Sequence, residues 1–444
     1  MHRTSGKLLT ILFTAGLLVA ACSSGNDSAV SESAVSESAV SENAASESST
    51  GSSSPDSSSA LVPFDTAAMD AIVDEKAKEY RAIGMVVLVR TPDGEYVNTW
   101  GSTDAGTATP PTLDTKVRVG SNTKTWTGTV ILQMVQEGKI SVDDPVSKYR
   151  PDVPNGENIT IGQLLDMRSG LYSYTQTVEL NRALDEDPER VWEPEELVAL
   201  GLSNSPTSAP GTEYNYSNTN TVLLGLIAEQ LDGKPIAQIY QDRLFSALEL
   251  TDTSFPANTD TSIPAPYTAG YSYSGNLETL GEGKESLSPE RIAAIDAGSV
   301  TPRTTTNDNP SWTWSAGQGI STANEMATWV KALAVGELLD ADTQQLRMDS
   351  ITPSDDTGTA AYGYGIAQMG PLYGHIGEMP GYNSFMGYDP ENDVTFVVWA
   401  NLAPAVDGSA PAAKVARELF PYVYATPSAE ASDAVEEHSD DAGE

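Results

Sequence analysis

Cysteine is almost missing from this 444-residue chain: Cys22 stands alone. A single cysteine rules out an intramolecular disulfide and a cysteine-built zinc site. Histidine is nearly as scarce, with His2 and His438 close to the ends and only His375 inside the long central stretch. One histidine and no clustered thiols leave no ligand set, so no metal is expected and no cofactor is assigned. Positive charge is also short, with 24 Lys and Arg against 62 Asp and Glu and a net charge of −38. Such a balance cannot neutralise a phosphate backbone, which excludes nucleic acid as a partner. The acidity fits an exported, salt-tolerant or simply soluble protein and names no substrate.

The apolar stretch Leu8–Val19 is too short to span a bilayer comfortably. It follows Arg3 and Lys7 and runs into Val19-Ala20-Ala21-Cys22, the order of a secretory signal with a small-residue cleavage site. That site resembles a bacterial lipobox. The resemblance implies that residues 1–22 are a lipoprotein signal and that Cys22 carries lipid, anchoring the chain to the outer face of a cell membrane. The alternative is cleavage elsewhere, giving a periplasmic or secreted protein without Cys22. Residues 23–60 repeat Ser-Ala-Val-Ser-Glu three times and then dissolve into Ser, Gly and Pro. With no aromatic residue and little apolar area, they read as a disordered tether. Residues 425–444 read as a disordered acidic tail. Between them, residues 61–424 are long enough for one large domain with a real core.

Three short motifs stand in order within that domain: Ser121-x-x-Lys124, Tyr216-x-Asn218 and His375-x-Gly377. Each is weak alone, since a Ser-Lys pair is commonly a solvated helix pair and Tyr-x-Asn a turn with Asn218 at a cap. The flanking sequence raises their weight. Val117–Gly128 reads VRVGSNTKTWTG and leads into VILQMVQEGKI, so a Gly precedes a long amphipathic helix. Ser121 then sits at a helix N-terminus, where free N–H groups favour developing negative charge. Lys124 falls one turn on, on the same face. No other Ser in the chain has a Lys three residues after it.

The chain resembles the serine beta-lactamase and penicillin-binding protein superfamily, in the branch of class C beta-lactamases and D-alanyl-D-alanine carboxypeptidases. The resemblance extends through GKISVDDPVSKYRPD (Gly138–Asp152), ITIGQLLDMRSGL (Ile159–Leu171), YSNTNTVLLGLIAEQ (Tyr216–Gln230), AGQGISTANEMATWVKAL (Ala316–Leu333) and GHIGEMPGYNSFMGYDP (Gly374–Pro390). It implies that Ser121 is the nucleophile, with Lys124 and Tyr216 as a coupled pair of proton carriers. Lys124 can act as a base only when neutral, which burial favours. The resemblance further places Asn218 against the acyl side of the substrate and His375 and Gly377 on an edge strand lining the cleft. The N–H groups of Ser121 and Glu378 would form the oxyanion hole. Two departures bear on the substrate. Ile376 replaces the hydroxyl residue with which carboxypeptidase-like relatives hold a free carboxylate. Glu378 is either a charge that repels such a carboxylate or a solvated edge charge.

The architecture follows from both ends of the chain. Phe64–Arg81 has apolar residues at helical spacing. Met85–Arg90, a Pro92–Gly94 turn and Glu95–Trp100 read as a hairpin. Further strands are expected at Tyr364–Met369, Ser384–Tyr388 and Val394–Asn401, then a helix from Ala412 to about Tyr422. The middle reads as mostly helical. The expected fold is α/β (α+β): an antiparallel sheet from both chain ends, flanked by the terminal helices, with a large inserted helical subdomain. The expected function is an exported serine hydrolase acting on a peptidoglycan stem peptide as a carboxypeptidase. The alternatives are an esterase, a D-amino-acid amidase or aminopeptidase, a beta-lactamase, or a non-catalytic wall-binding module.

Overall fold

The first strands show why both faces of the sheet are apolar. In β1 (Gly84–Thr91), Val86 and Leu88 point into one core cluster while Met85, Val87 and Val89 point into another. A strand covered on both faces buries every side chain, and each such Val or Leu contributes roughly 1.5–3 kcal/mol. A turn at Pro92 and Asp93 leads to β2 (Gly94–Gly101), where mostly exposed residues mark the sheet's edge. The remaining strands come from the other end of the chain: β3 (Thr352–Pro353), β4 (Ala360–Gly363), β5 (Ile366–Met369), β6 (Leu372–Met379), β7 (Tyr382–Asp389) and β8 (Val394–Ala400). The eight strands run in the order β2-β1-β8-β7-β6-β5-β4-β3, antiparallel at every pairing. β1 meets β8 with Met85 opposite Ala400 and Val89 opposite Phe396, closing the two ends of the chain into one sheet.

The computed structural model describes residues 61–280, 286–354 and 360–425. The expected signal, the Cys22 lipidation site, the tether and the acidic tail lie outside the described residues, apart from Ala425. Helices α1 (Thr66–Tyr80) and, at the C-terminal end, Pro411–Leu419 cover one face. Met69, Val73, Val415 and Leu419 pack there against Val87, Phe396 and Val398. The other face carries the helical insertion, built around α2 (Thr123–Gln136), α3 (Asn218–Asp232) and α4 (Ala323–Val335).

Two elements differ from expectation. α2 is not amphipathic: Thr123 to Met134 are all buried. Its polar residues bond locally, with Thr125 Oγ1 donating to the Asn122 carbonyl at 2.6 Å and Thr129 Oγ1 to that of Thr125 at 2.7 Å. A buried threonine satisfied by its own helix behaves as a small apolar residue toward its neighbours. The strand expected over Tyr364–Met369 is present as β5, but it is the second arm of a hairpin with β4, turned at Tyr364 and Gly365, which the sequence reading lacks. Gly365 has φ +67°, and a Cβ there would lie 2.8 Å from Gly128 Cα of α2. The pair of glycines lets the hairpin rest on the helix that begins beside Ser121.

Candidate active site

Ser121 lies in a 3₁₀ turn, Gly120–Asn122, that runs straight into α2. Gly120 is required twice over, by a φ of +53° and by a Cβ position only 2.7 Å from the Glu378 backbone nitrogen. The turn that carries Ser121 therefore rests on the end of β6. One helical turn on, Lys124 is 1% exposed, and its Nζ lies 2.9 Å from Ser121 Oγ. The same Nζ donates to the Ala316 carbonyl at 2.8 Å. Burial holds the Lys124 pKa well below its usual 10.5. A neutral amine that donates to Ala316 keeps its lone pair for the Ser121 hydroxyl, which is the geometry a base requires.

Tyr216 stands on the far side of this pair. Lys124 Nζ is 4.9 Å from the centre of its ring, and its phenol is hydrogen-bonded to Ser121. Desolvation raises the Tyr216 pKa and the Ser121 bond lowers it. The residue remains 38% exposed to the cleft, so solvent moderates the rise. Asn218 opens α3 and lines the cleft. Its amide nitrogen donates to Thr175 Oγ1 at 2.9 Å, and its backbone N–H to Ser173 Oγ at 3.0 Å. Asn218 is thus tied to the neighbouring loop rather than capping its own helix.

His375, Gly377 and Glu378 lie on β6. Pairing with β5 covers only Leu372–Gly374, so among the described residues no strand continues along the outer side of His375–Met379. The expected edge is present where the motif needs it. Gly377 serves a different neighbour from the substrate: a Cβ on it would fall 1.8 Å from the Val119 carbonyl oxygen. Ile376 packs against the core on the terminal-helix face and is not among the cleft-lining residues. Glu378 does line the cleft.

The cleft holds about 400 Å³. Ser121, Tyr216 and Asn218 meet there with Ser173–Gln176 on one side and parts of Ser272–Leu280 and Trp312 on another. The segment 257–314 therefore supplies a wall of the cleft and not surface packing alone. Asp185 secures that wall, accepting from the backbone N–H groups of Asn276 at 2.7 Å and Leu277 at 2.9 Å. Among the described lining residues none is Lys or Arg, and Glu378 is the one carboxylate. No group of three or more His, Cys, Asp or Glu able to hold a metal occurs among the described residues.

Sequence reasoning missed Tyr362, Ala316 and Asp185. Tyr362 on β4 precedes His375 on β6 by 13 residues, and its hydroxyl lies 3.0 Å from His375 Nε2, with β5 lying between the two strands in the sheet. No short motif joins residues that meet only through strand pairing.

The family model for beta-lactamase matches residues 69–419. A D-aminopeptidase of Brucella anthropi is 34% identical over 186 residues, covering 41% of this chain and 35% of that protein. The putative penicillin-binding protein PbpX of Bacillus subtilis is 26% identical over 289 residues, 65% of this chain and 62% of that one. This chain thus spans less than two thirds of either curated relative. A solved D-stereospecific amidohydrolase from a Streptomyces species shares the fold with a TM-score of 0.68 and 28% identity, over 80% of this chain and 98% of that one. With the family match running from α1 through the Ser121 turn and the whole sheet to the C-terminal helix, this chain belongs to the beta-lactamase family.

Proposed function

We propose that the chain is an exported, lipid-anchored hydrolase that forms an acyl-enzyme on Ser121 and cleaves amides of D-amino acids or short peptides. The observation that carries this reading is a Ser121–Lys124 pair at 2.9 Å opening into a cleft whose described lining contains no Lys or Arg. A carboxypeptidase must bind a free carboxylate beside the scissile bond, normally with a cation or hydroxyl. Ile376 faces the other way and supplies neither. The likeness to a D-aminopeptidase and a D-stereospecific amidohydrolase supports the amidase reading over the carboxypeptidase expected from sequence.

In this mechanism neutral Lys124 takes the Ser121 proton, directly or through the Tyr216 phenol. Ser121 Oγ attacks the amide carbonyl, and the N–H groups of Ser121 and Glu378 receive the oxyanion. Lys124 and Tyr216 return the proton to the leaving nitrogen, and water then hydrolyses the ester. The decisive experiment compares kcat/KM for a D-alanine amide, acyl-D-Ala-D-Ala, a p-nitrophenyl ester and nitrocefin. A preference for the D-amide supports the reading. Faster hydrolysis of acyl-D-Ala-D-Ala would restore the carboxypeptidase, a stem-peptide substrate included. Absence of a covalent adduct on Ser121 with a fluorophosphonate would favour a non-catalytic binder.

A further inference from the structure

His375 is the histidine of the third motif, and both of its ring nitrogens are already engaged by the protein. Nδ1 lies 2.6 Å from the Ile376 carbonyl oxygen, and Nε2 lies 3.0 Å from the Tyr362 hydroxyl. A carbonyl only accepts, so Nδ1 bears the proton. Nε2 of the neutral ring is then an acceptor, and the Tyr362 hydroxyl must donate to it. Tyr362 can do so at any ordinary pH, because burial holds its pKa well above the usual value for a phenol. The two rings meet edge to face at 5.6 Å, and each stands 6.3 Å from the Tyr216 ring.

We infer that Tyr362 is a positioning residue: the hydrogen bond it donates, with the one the Ile376 carbonyl accepts, holds His375 as one neutral tautomer with no proton or lone pair left for Tyr216 or substrate. His375, buried and not itself among the cleft-lining residues, then brings no charge to the site. The groups facing it agree. Lys124 approaches from α2 and Tyr216 from the segment before α3. Tyr362 comes from β4, with Tyr214 and Asp166 beyond it. Burial, and then Lys124, push the His375 pKa down to about 3. The charge work beside Ser121 is left to Lys124, with Tyr216 as its relay. This inference rests on the acyl-enzyme reading only for its kinetic consequence, since the tautomer can be observed without substrate.

The test is ¹⁵N NMR of the full chain labelled at its three histidines, with His375→Gln used to assign the His375 signals. The expected spectrum shows a protonated Nδ1 and an unprotonated Nε2 that does not titrate above about pH 5. Tyr362→Phe removes one oxygen and the donor. The Nε2 resonance should then move toward that of an unbonded acceptor, the His375 pKa should rise, and kcat should fall roughly tenfold with KM unchanged. A protonated Nε2 in the parent, or His375 titrating near its ordinary 6.5, overturns the inference even if Tyr362→Phe fails to fold. So does a folded Tyr362→Phe that matches the parent in both spectrum and kcat. Failure of every amide substrate with the expected spectrum intact would refute the proposed function and leave the tautomer assignment standing.

Discussion

Gly377 and Val119 stand closer than any side chain would allow, since a Cβ on Gly377 would lie 1.8 Å from the Val119 carbonyl oxygen. That oxygen also accepts from Ser384 Oγ at 2.9 Å, and Ser384 accepts from Asn122 Nδ2 at 2.7 Å. The third motif is thereby fastened to the chain on both sides of Ser121. Gly377→Ala should push the nucleophile turn away from β6. The expected result is a loss of kcat/KM on the order of a hundredfold with roughly 1–3 kcal/mol of destabilisation. Kinetics and a thermal melt on the same sample check it, and parent-like kinetics would show that the turn does not depend on this contact.

Ser121→Ala should abolish covalent labelling and reduce turnover below roughly a thousandth of the parent. Lys124 keeps its bond to Ala316, so stability should change by only about 1 kcal/mol or less. Labelling with a fluorophosphonate followed by intact-mass measurement reads the first effect, and a urea titration the second.

Lys124→Ala and Tyr216→Phe should each slow acylation by orders of magnitude, while the double variant loses little more. Residues that act as one unit are non-additive. Single-turnover acylation rates for the four proteins complete the cycle. Losses that multiply independently would separate the two residues into unrelated roles.

The depressed Lys124 pKa also predicts two pH effects of definite sign. Acylation should rise with pH as Lys124 loses its proton in the folded enzyme and fall on the acid side of that transition. For stability, the unfolded chain holds this proton up to about 10.5, whereas burial makes the folded chain release it at lower pH. Folding is therefore penalised at neutral pH and relieved as pH approaches 10.5. Lys124→Met removes the penalty, so it should be more stable than the parent at neutral pH, with the advantage closing in alkali. Urea titrations at several pH values test this, and a constant difference would mean that Lys124 is charged in the fold.

Asp185→Ala should loosen the wall formed by Asn276, Thr279 and Leu280, because it removes the acceptor of the Asn276 and Leu277 N–H groups. The wall lines the cleft and carries neither Lys124 nor Tyr216, so KM should rise about three- to tenfold with kcat nearly unchanged. An unchanged KM would make this wall irrelevant to binding.

The sheet was legible in the sequence where burial on both faces forces continuous apolar runs, as at Met85–Val89 and Val394–Ala400. The meeting of Ser121, Lys124 and Tyr216 was legible because local spacing and short motifs carry it. The β4–β5 hairpin was not, since its turn depends on Gly365 meeting Gly128 more than two hundred residues away. Tyr362 was hidden for the same reason. Gly377 is expected from the sequence to line the cleft, whereas its missing side chain makes room for the protein's own backbone. The orientation of Ile376 escaped because an edge residue facing the terminal helices has the same letter as one facing a ligand.

The closure of β1 on β8 has a temporal meaning. The Gly84 N–H donates to Asn401 Oδ1 across 317 residues of sequence, and the strand that braces Ser121 also comes late in the chain. Such distant pairings form slowly and only after nearly the whole polypeptide exists. A ribosome-bound nascent chain that already displays Ser121 and Lys124 still lacks β6, Tyr362 and His375. Synthesis order therefore sets when the cleft can close: Ser121 and Lys124 gain their surroundings only with the last strands.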